Sequence, residues 1–97
     1  MPTYVSLLNW TDQGVRNFKD SVDRYEAAQS AMGASGVSFK DAYWTVGPYD
    51  IVAVVEGPDD ETATAGLLSV AAQGNIRSTT MRAFTVDEMR SVIQKAG

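Results

Sequence analysis

The chain has no cysteine and no histidine. The first absence excludes disulfides, thiolate zinc sites, iron–sulfur clusters and cysteine nucleophiles. The second removes imidazole ligands, the Ser–His arrangement of hydrolases and the usual general base at neutral pH. No metal and no cofactor is therefore expected. Basic charge is also scarce: eight Lys and Arg stand against twelve Asp and Glu, for a net charge of −4. Between Asp41 and Ile76 there is no Lys or Arg, whereas Asp41, Asp50, Glu56, Asp59, Asp60 and Glu61 all fall there. A nucleic-acid binder needs a basic stripe to displace phosphate counterions, and an anionic membrane surface makes the same demand. Neither partner is expected. No apolar run approaches the length of about 20 residues that spans a bilayer. The opening Met1-Pro2-Thr3-Tyr4-Val5 lacks a charged n-region, so no signal peptide is expected and the default location is cytoplasmic.

What remains is an ordinary globular composition, 44% hydrophobic and 21% charged, in 97 residues. That length holds one domain and buries roughly 60–65% of its unfolded surface, leaving little stability in reserve. Strand-like and helix-like patterns alternate along it. Thr3 to Asn9 is β-branched and aromatic and reads as a strand. Thr11 is placed to cap a helix, with Asp12 in its acidic first turn. Val15, Phe18, Val22, Tyr25 and Met32 recur at helical spacing and predict one buried face, with Arg16, Asp20, Asp23 and Arg24 on the solvated side and Gly33 and Gly36 at the end. Val37 to Val46 and Tyr49 to Glu56 read as a hairpin turned by Gly47-Pro48. Gly57-Pro58-Asp59 is a stop and a cap for a helix over about Asp60 to Gln73, with Ala63, Leu67, Val70 and Ala71 inward and Gly74 as a left-handed terminator. Ile76 to Phe84 is a fourth strand. Thr85-Val86-Asp87-Glu88 matches a capping box before a short last helix carrying Met89, Val92 and Ile93.

The order is βαββαβ plus a C-terminal helix, the α+β ferredoxin-like plait of a four-stranded antiparallel sheet with helices on one face. Strands with one solvated face alternate apolar and polar residues. Here Ile51, Ala53 and Val55 point one way and Val52 and Val54 the other, and Val5 and Leu7 oppose Tyr4 and Leu8. Both faces of the sheet centre are apolar, yet two helices cover only one. A homodimer with sheets packed face to face, a dimeric α/β-barrel, is expected, with a larger dimer-built assembly as a further outcome.

Four blocks of sequence point to a family. Val46-Gly47-Pro48-Tyr49-Asp50-Ile51-Val52 contains Gly-x-Tyr-Asp at a strand start, and Glu56-Gly57-Pro58-Asp59-Asp60-Glu61 follows. Gly74-Asn75-Ile76-Arg77-Ser78-Thr79-Thr80-Met81-Arg82-Ala83-Phe84 and the opening Tyr4-Val5-Ser6-Leu7-Leu8-Asn9-Trp10-Thr11-Asp12-Gln13-Gly14 complete the set. Together they span nearly the whole chain, which resembles the GYD-domain family. The resemblance implies small bacterial proteins of dimeric α/β-barrel type with no established activity. One departure is Pro48, where the family often has a basic residue after the motif glycine; that puts any role of such a cation in doubt.

Several side chains are candidates for chemistry. Asp50, beside Tyr49 at the mouth of the hairpin, would serve as an acid or base if desolvated; the competing reading is a carboxylate accepting backbone amides, with Tyr49 packed on the sheet. Arg77 shares a strand face with Thr79 and Met81, and Arg82 shares the other with Ser78 and Thr80. Whichever faces the inter-sheet space would clamp a carboxylate or phosphate, or else pair with an acidic residue. Trp10, Tyr43 and Trp44 would wall a pocket for a planar small molecule, or simply fill core and interface. Lys40, on the face of Ala42 and Trp44, reads best as a solvated edge lysine. The acidic group Glu56, Asp59, Asp60 and Glu61 lacks the spacing and central glycine of an EF-hand, and capping explains it. The leading expectation is thus a homodimeric small-molecule-binding or regulatory module whose site lies between the sheets near Asp50, Tyr49 and an arginine. The alternatives are a cofactor-independent enzyme of oxygenase or isomerase type using Asp50 or a tyrosine with an arginine, and a structural assembly subunit without ligand.

Overall fold

The computed structural model describes residues 1–97. Its elements are β1 (Thr3–Trp10), α1 (Asp12–Arg16), α2 (Ser21–Gly33), β2 (Ser38–Trp44), β3 (Ile51–Glu56), α3 (Asp60–Ala71), β4 (Ile76–Ala83) and α4 (Val86–Ala96), with a single 3-10 turn at Phe18–Asp20. The four strands form one antiparallel sheet in the order β2-β3-β1-β4. This is the strand order of a ferredoxin-like plait, with the most apolar strands, β1 and β3, at the centre.

Register sets which residues meet the helices. Tyr4, Ser6 and Leu8 of β1 stand opposite Val55, Ala53 and Ile51 of β3. With Met32, Val37 and Ala63 they form the core, where Val55 is fully buried. The helices close over this face only. Gly66 of α3 faces the buried Met32 side chain of α2, and a Cβ there would come within 2.6 Å of Met32 Cε, so the methionine would have to shift to admit it. The opposite face presents Val5 and Leu7 beside Val54 and Val52, with Met81 next to Val5, and no helix lies over it.

The caps follow the sequence. Thr11 Oγ1 accepts the Gly14 N–H, the Asp59 carboxylate accepts the Thr62 N–H at 2.7 Å, and Thr85 and Glu88 make a reciprocal capping box. Gly36 and Gly74 take left-handed backbone, φ +84° and +86°, at the ends of α2 and α3.

Two readings are corrected. The expected long first helix is broken at Asn17, whose side-chain amide donates to the Gln13 carbonyl and so competes with continued helix. After the break the buried face is not that of Val15, Phe18 and Val22, which are all about half exposed, but one carrying Ser21, Arg24, Tyr25, Ala28 and Met32. Arg24 therefore lies on the inner side rather than the solvated one. In β2 the register shifts between Phe39 and Asp41. This bulge takes Lys40 out of the alternation, and its ammonium sits 3.5 Å from Glu56.

Candidate functional site

The Gly-x-Tyr-Asp segment closes the open end of the β2–β3 hairpin. Gly47 adopts φ +146°, which favours glycine, and the Thr45 hydroxyl donates to the Tyr49 carbonyl at 2.7 Å. Asp50 then ties three segments together. Its backbone N–H donates to the Leu8 carbonyl (2.9 Å), its carbonyl accepts the Thr45 N–H (2.8 Å), and its carboxylate accepts the Trp10 N–H (2.8 Å). The last bond extends the β1–β3 ladder beyond its final residue pair, with a side chain standing in for backbone.

The other candidates fall on two faces. Arg77 stands opposite Asn9, and Tyr43 opposite Val52, both on the open face of the sheet. Arg82, opposite Tyr4, lies on the helix side. Its guanidinium rests 4.7 Å from the centre of the Phe84 ring and 5.8 Å from that of Tyr4, and donates to the Thr3 and Ala83 carbonyls. The Tyr4 hydroxyl donates to the Asp60 carboxylate, which holds the phenol's pKa above its ordinary value. Trp44 donates its indole N–H to Ser21 Oγ at 2.9 Å and meets Tyr25 edge-on, and Tyr25 meets Phe39 in the same way. The candidates thus do not converge on one point. Asp50 and Trp10 touch, while Arg77, Arg82, Tyr43 and Trp44 stand apart on opposite sides of the sheet.

Between the sheet and the helices lies a cavity of about 70 Å³ lined by 15 residues, ten of them hydrophobic. Leu8, Ile51 and Ile76 form its sheet floor, and Met32, Leu67 and Val70 its helix wall. Trp10 and Arg24 line it as well. The buried Trp10 Nε1 and Arg24 Nη2 have no hydrogen-bond partner in the protein. Arg24 spends Nη1 on the Asn17 carbonyl (2.8 Å), and no carboxylate lies within ion-pairing distance of it. By contrast, the two serine hydroxyls in the wall are engaged: Ser6 with Thr80 at 2.9 Å, and Ser21 with Trp44.

The sequence model of the GYD domain matches residues 4–93, from the first core residue of β1 to Ile93 in α4. The chain belongs to the GYD-domain family. A relative from Thermus thermophilus, named glutamine synthetase and cystathionine beta-lyase binding protein, is 32% identical over 90 residues, covering 92% of this chain and 95% of the relative. The crystal structure of TTHA0845, also from Thermus thermophilus, is similar in fold, with a TM-score of 0.53 at 28% identity over 89% of this chain and 96% of the other.

In this GYD protein the namesake Tyr-Asp pair thus occupies a strand junction. The residues that sequence reasoning passed over are Arg24 and Ser21. Their signal was the spacing Ser21, Arg24, Tyr25, Ala28, Met32, itself a helical face, masked by the more apolar series that crosses the Asn17 break. No helix is long and apolar enough to cross a membrane.

Proposed function

We propose that this GYD protein is a homodimeric binding and regulatory module, with two sheets packed face to face as a dimeric α/β-barrel. The observation that carries the reading is the uncovered apolar face of Val5, Leu7, Val52, Val54 and Met81. Pairing the two faces across a two-fold axis removes apolar surface from water on both copies at once. Arg77 and Tyr43 are the candidates from the sequence on that face, and a small organic ligand held between the sheets would meet them.

The bond between the Asp50 carboxylate and the Trp10 N–H favours binding over catalysis, because it employs the expected general base in holding two strands together. By analogy with the name of the Thermus relative, the proposed protein partners are glutamine synthetase and cystathionine beta-lyase. The amphipathic α4 is the surface proposed to meet them. Val86, Met89, Val92 and Ile93 along it are exposed, and α4 packs against no other element in an extended interface.

Size-exclusion chromatography with light scattering tests the dimer. The expected mass is twice that of the protomer, and Val54→Asp is expected to halve it. A wild-type monomer at micromolar concentration overturns the reading. Purified glutamine synthetase and cystathionine beta-lyase, each passed over the immobilised protein, test the partners; retention of neither removes that part.

A further inference from the structure

We infer that each protomer binds a small carboxylic acid with an apolar body in the cavity between its sheet and its helices. The argument begins with the two donors. A buried indole N–H and a buried guanidinium N–H without partners each forfeit their hydration with nothing in return, and buried polar groups in folded proteins are as a rule bonded. Trp10 Nε1 and Arg24 Nη2 break that rule together, and both belong to residues lining one cavity. Neither group can accept a hydrogen bond, so the complementary occupant has to bring acceptors.

Charge narrows the class. Arg24 is half-buried, and no Asp or Glu lies within ion-pairing distance of it. An anion therefore gains more there than a neutral acceptor, since bonds to an ionised partner are roughly twice as strong as neutral ones. A carboxylate matches two separate donors with its two oxygens. Phosphate or sulfate fits less well, because each brings three or four oxygens to two buried unpartnered donors and to walls of Leu8, Ile51, Leu67 and Ile76. Such walls suit a hydrocarbon chain.

Size completes the description. At about 10–15 Å³ for each water-sized group, about 70 Å³ takes about five to seven non-hydrogen atoms, the size of butyrate or isovalerate. The site lies within one protomer, so it is independent of the dimer proposed above.

The test uses the full-length protein and nuclear magnetic resonance of its two indole N–H groups. Trp44 serves as the internal reference, because its N–H is already donated to Ser21. Acetate, butyrate, isovalerate and hexanoate are titrated in turn, with isovaleramide as the neutral counterpart of isovalerate. The expected result is a saturable shift of the Trp10 signal, larger than that of Trp44, strongest with butyrate or isovalerate and at least about tenfold weaker in affinity with the amide. Arg24→Gln is expected to weaken isovalerate by a similar factor, and Val54→Asp to leave its affinity unchanged. The inference is overturned if none of the acids gives a saturable Trp10 shift, which would leave the donors to water. It is equally overturned if acid and amide bind alike, or if Arg24→Gln binds as the wild type does. Should Arg24→Gln fail to fold, the comparison of acid with amide on the wild-type protein decides alone.

Discussion

Removing the Asp50 carboxylate tests whether the motif aspartate is a structural clamp. In Asp50→Ala the Trp10 N–H loses the acceptor that stands 2.8 Å away, in partly buried surroundings where water replaces it poorly. A bond to a charged acceptor contributes about 1.5–3 kcal/mol, and an orphaned donor costs a similar amount. The backbone bonds of Asp50 to Leu8 and Thr45 do not involve its side chain and survive the substitution. The expected loss is therefore about 2 kcal/mol, which for a domain of this size lowers Tm by about 8–16 °C. Asp50→Asn keeps an acceptor oxygen at the same place and surrenders only the charge, so its expected loss is below about 1 kcal/mol. Thermal and urea denaturation of the three proteins at one fixed concentration, followed by circular dichroism, gives the comparison. The concentration must match because association adds to apparent stability. The clamp reasoning is refuted if Ala and Asn cost the same, since the charge and not the acceptor would then matter. It is refuted too if Ala leaves Tm unchanged.

Gly14→Ala places a methyl 2.0 Å from the Asn75 carbonyl oxygen, a backbone atom that cannot swing aside; a large fall in Tm with shifted NMR signals around residues 74–76 is expected, and an unchanged Tm would show that the turn has room. The Asp59 and Glu88 carboxylates are held below the usual carboxylate range by the N–H groups of Thr62 and Thr85. Their stabilisation is present above the unfolded pKa of about 4 and disappears as pH falls through the lower folded values, so Asp59→Asn is expected to flatten the acid limb of a Tm profile. Tyr4 has the opposite sign: its folded pKa is raised, chiefly by the bond to Asp60. That contribution is complete below about pH 10 and is lost as pH rises further, so Tyr4→Phe is expected to flatten the alkaline limb. A Met89→Asp/Ile93→Asp double substitution is expected to leave the dimer mass unchanged while abolishing retention of partner enzymes; a monomeric product would assign α4 to the dimer interface instead.

The sheet was legible because its signals are local. Val, Ile and Tyr in β1 and β3, the turn at Gly47-Pro48, and the caps at Thr11, Asp59 and Thr85 each act over a few residues. The resemblance added register through the Gly-x-Tyr-Asp block. The first helix was misjudged for a related reason: apolar spacing from Val15 to Met32 outweighs one asparagine when hydrophobicity is read alone. Asn17 ends α1 with hydrogen bonds that carry no periodic signature. The bulge at Lys40 was equally invisible, since it depends on how β2 lies against β3. Arg24 shows the limit most clearly. On a sequence its charge marks a solvated face, yet a long side chain can bury its stem and bring its head to a cavity. Only the packed positions of α2 and β1 bring Arg24 and Trp10 to the same cavity.

The composition also bears on what that cavity can do. Without histidine or cysteine, proton transfer near neutral pH would fall to a carboxylate or a phenol with a shifted pKa. The two buried, unpartnered groups among the cavity's lining residues are of neither kind: a guanidinium N–H and an indole N–H can only donate. The carboxylate nearest to Trp10 in the hydrogen-bond network, that of Asp50, is occupied by a backbone amide. The Tyr4 phenol is driven further from ionising by Asp60. Two such donors would hold the proposed anion without exchanging protons with it, which fits an effector site on the proposed binding module.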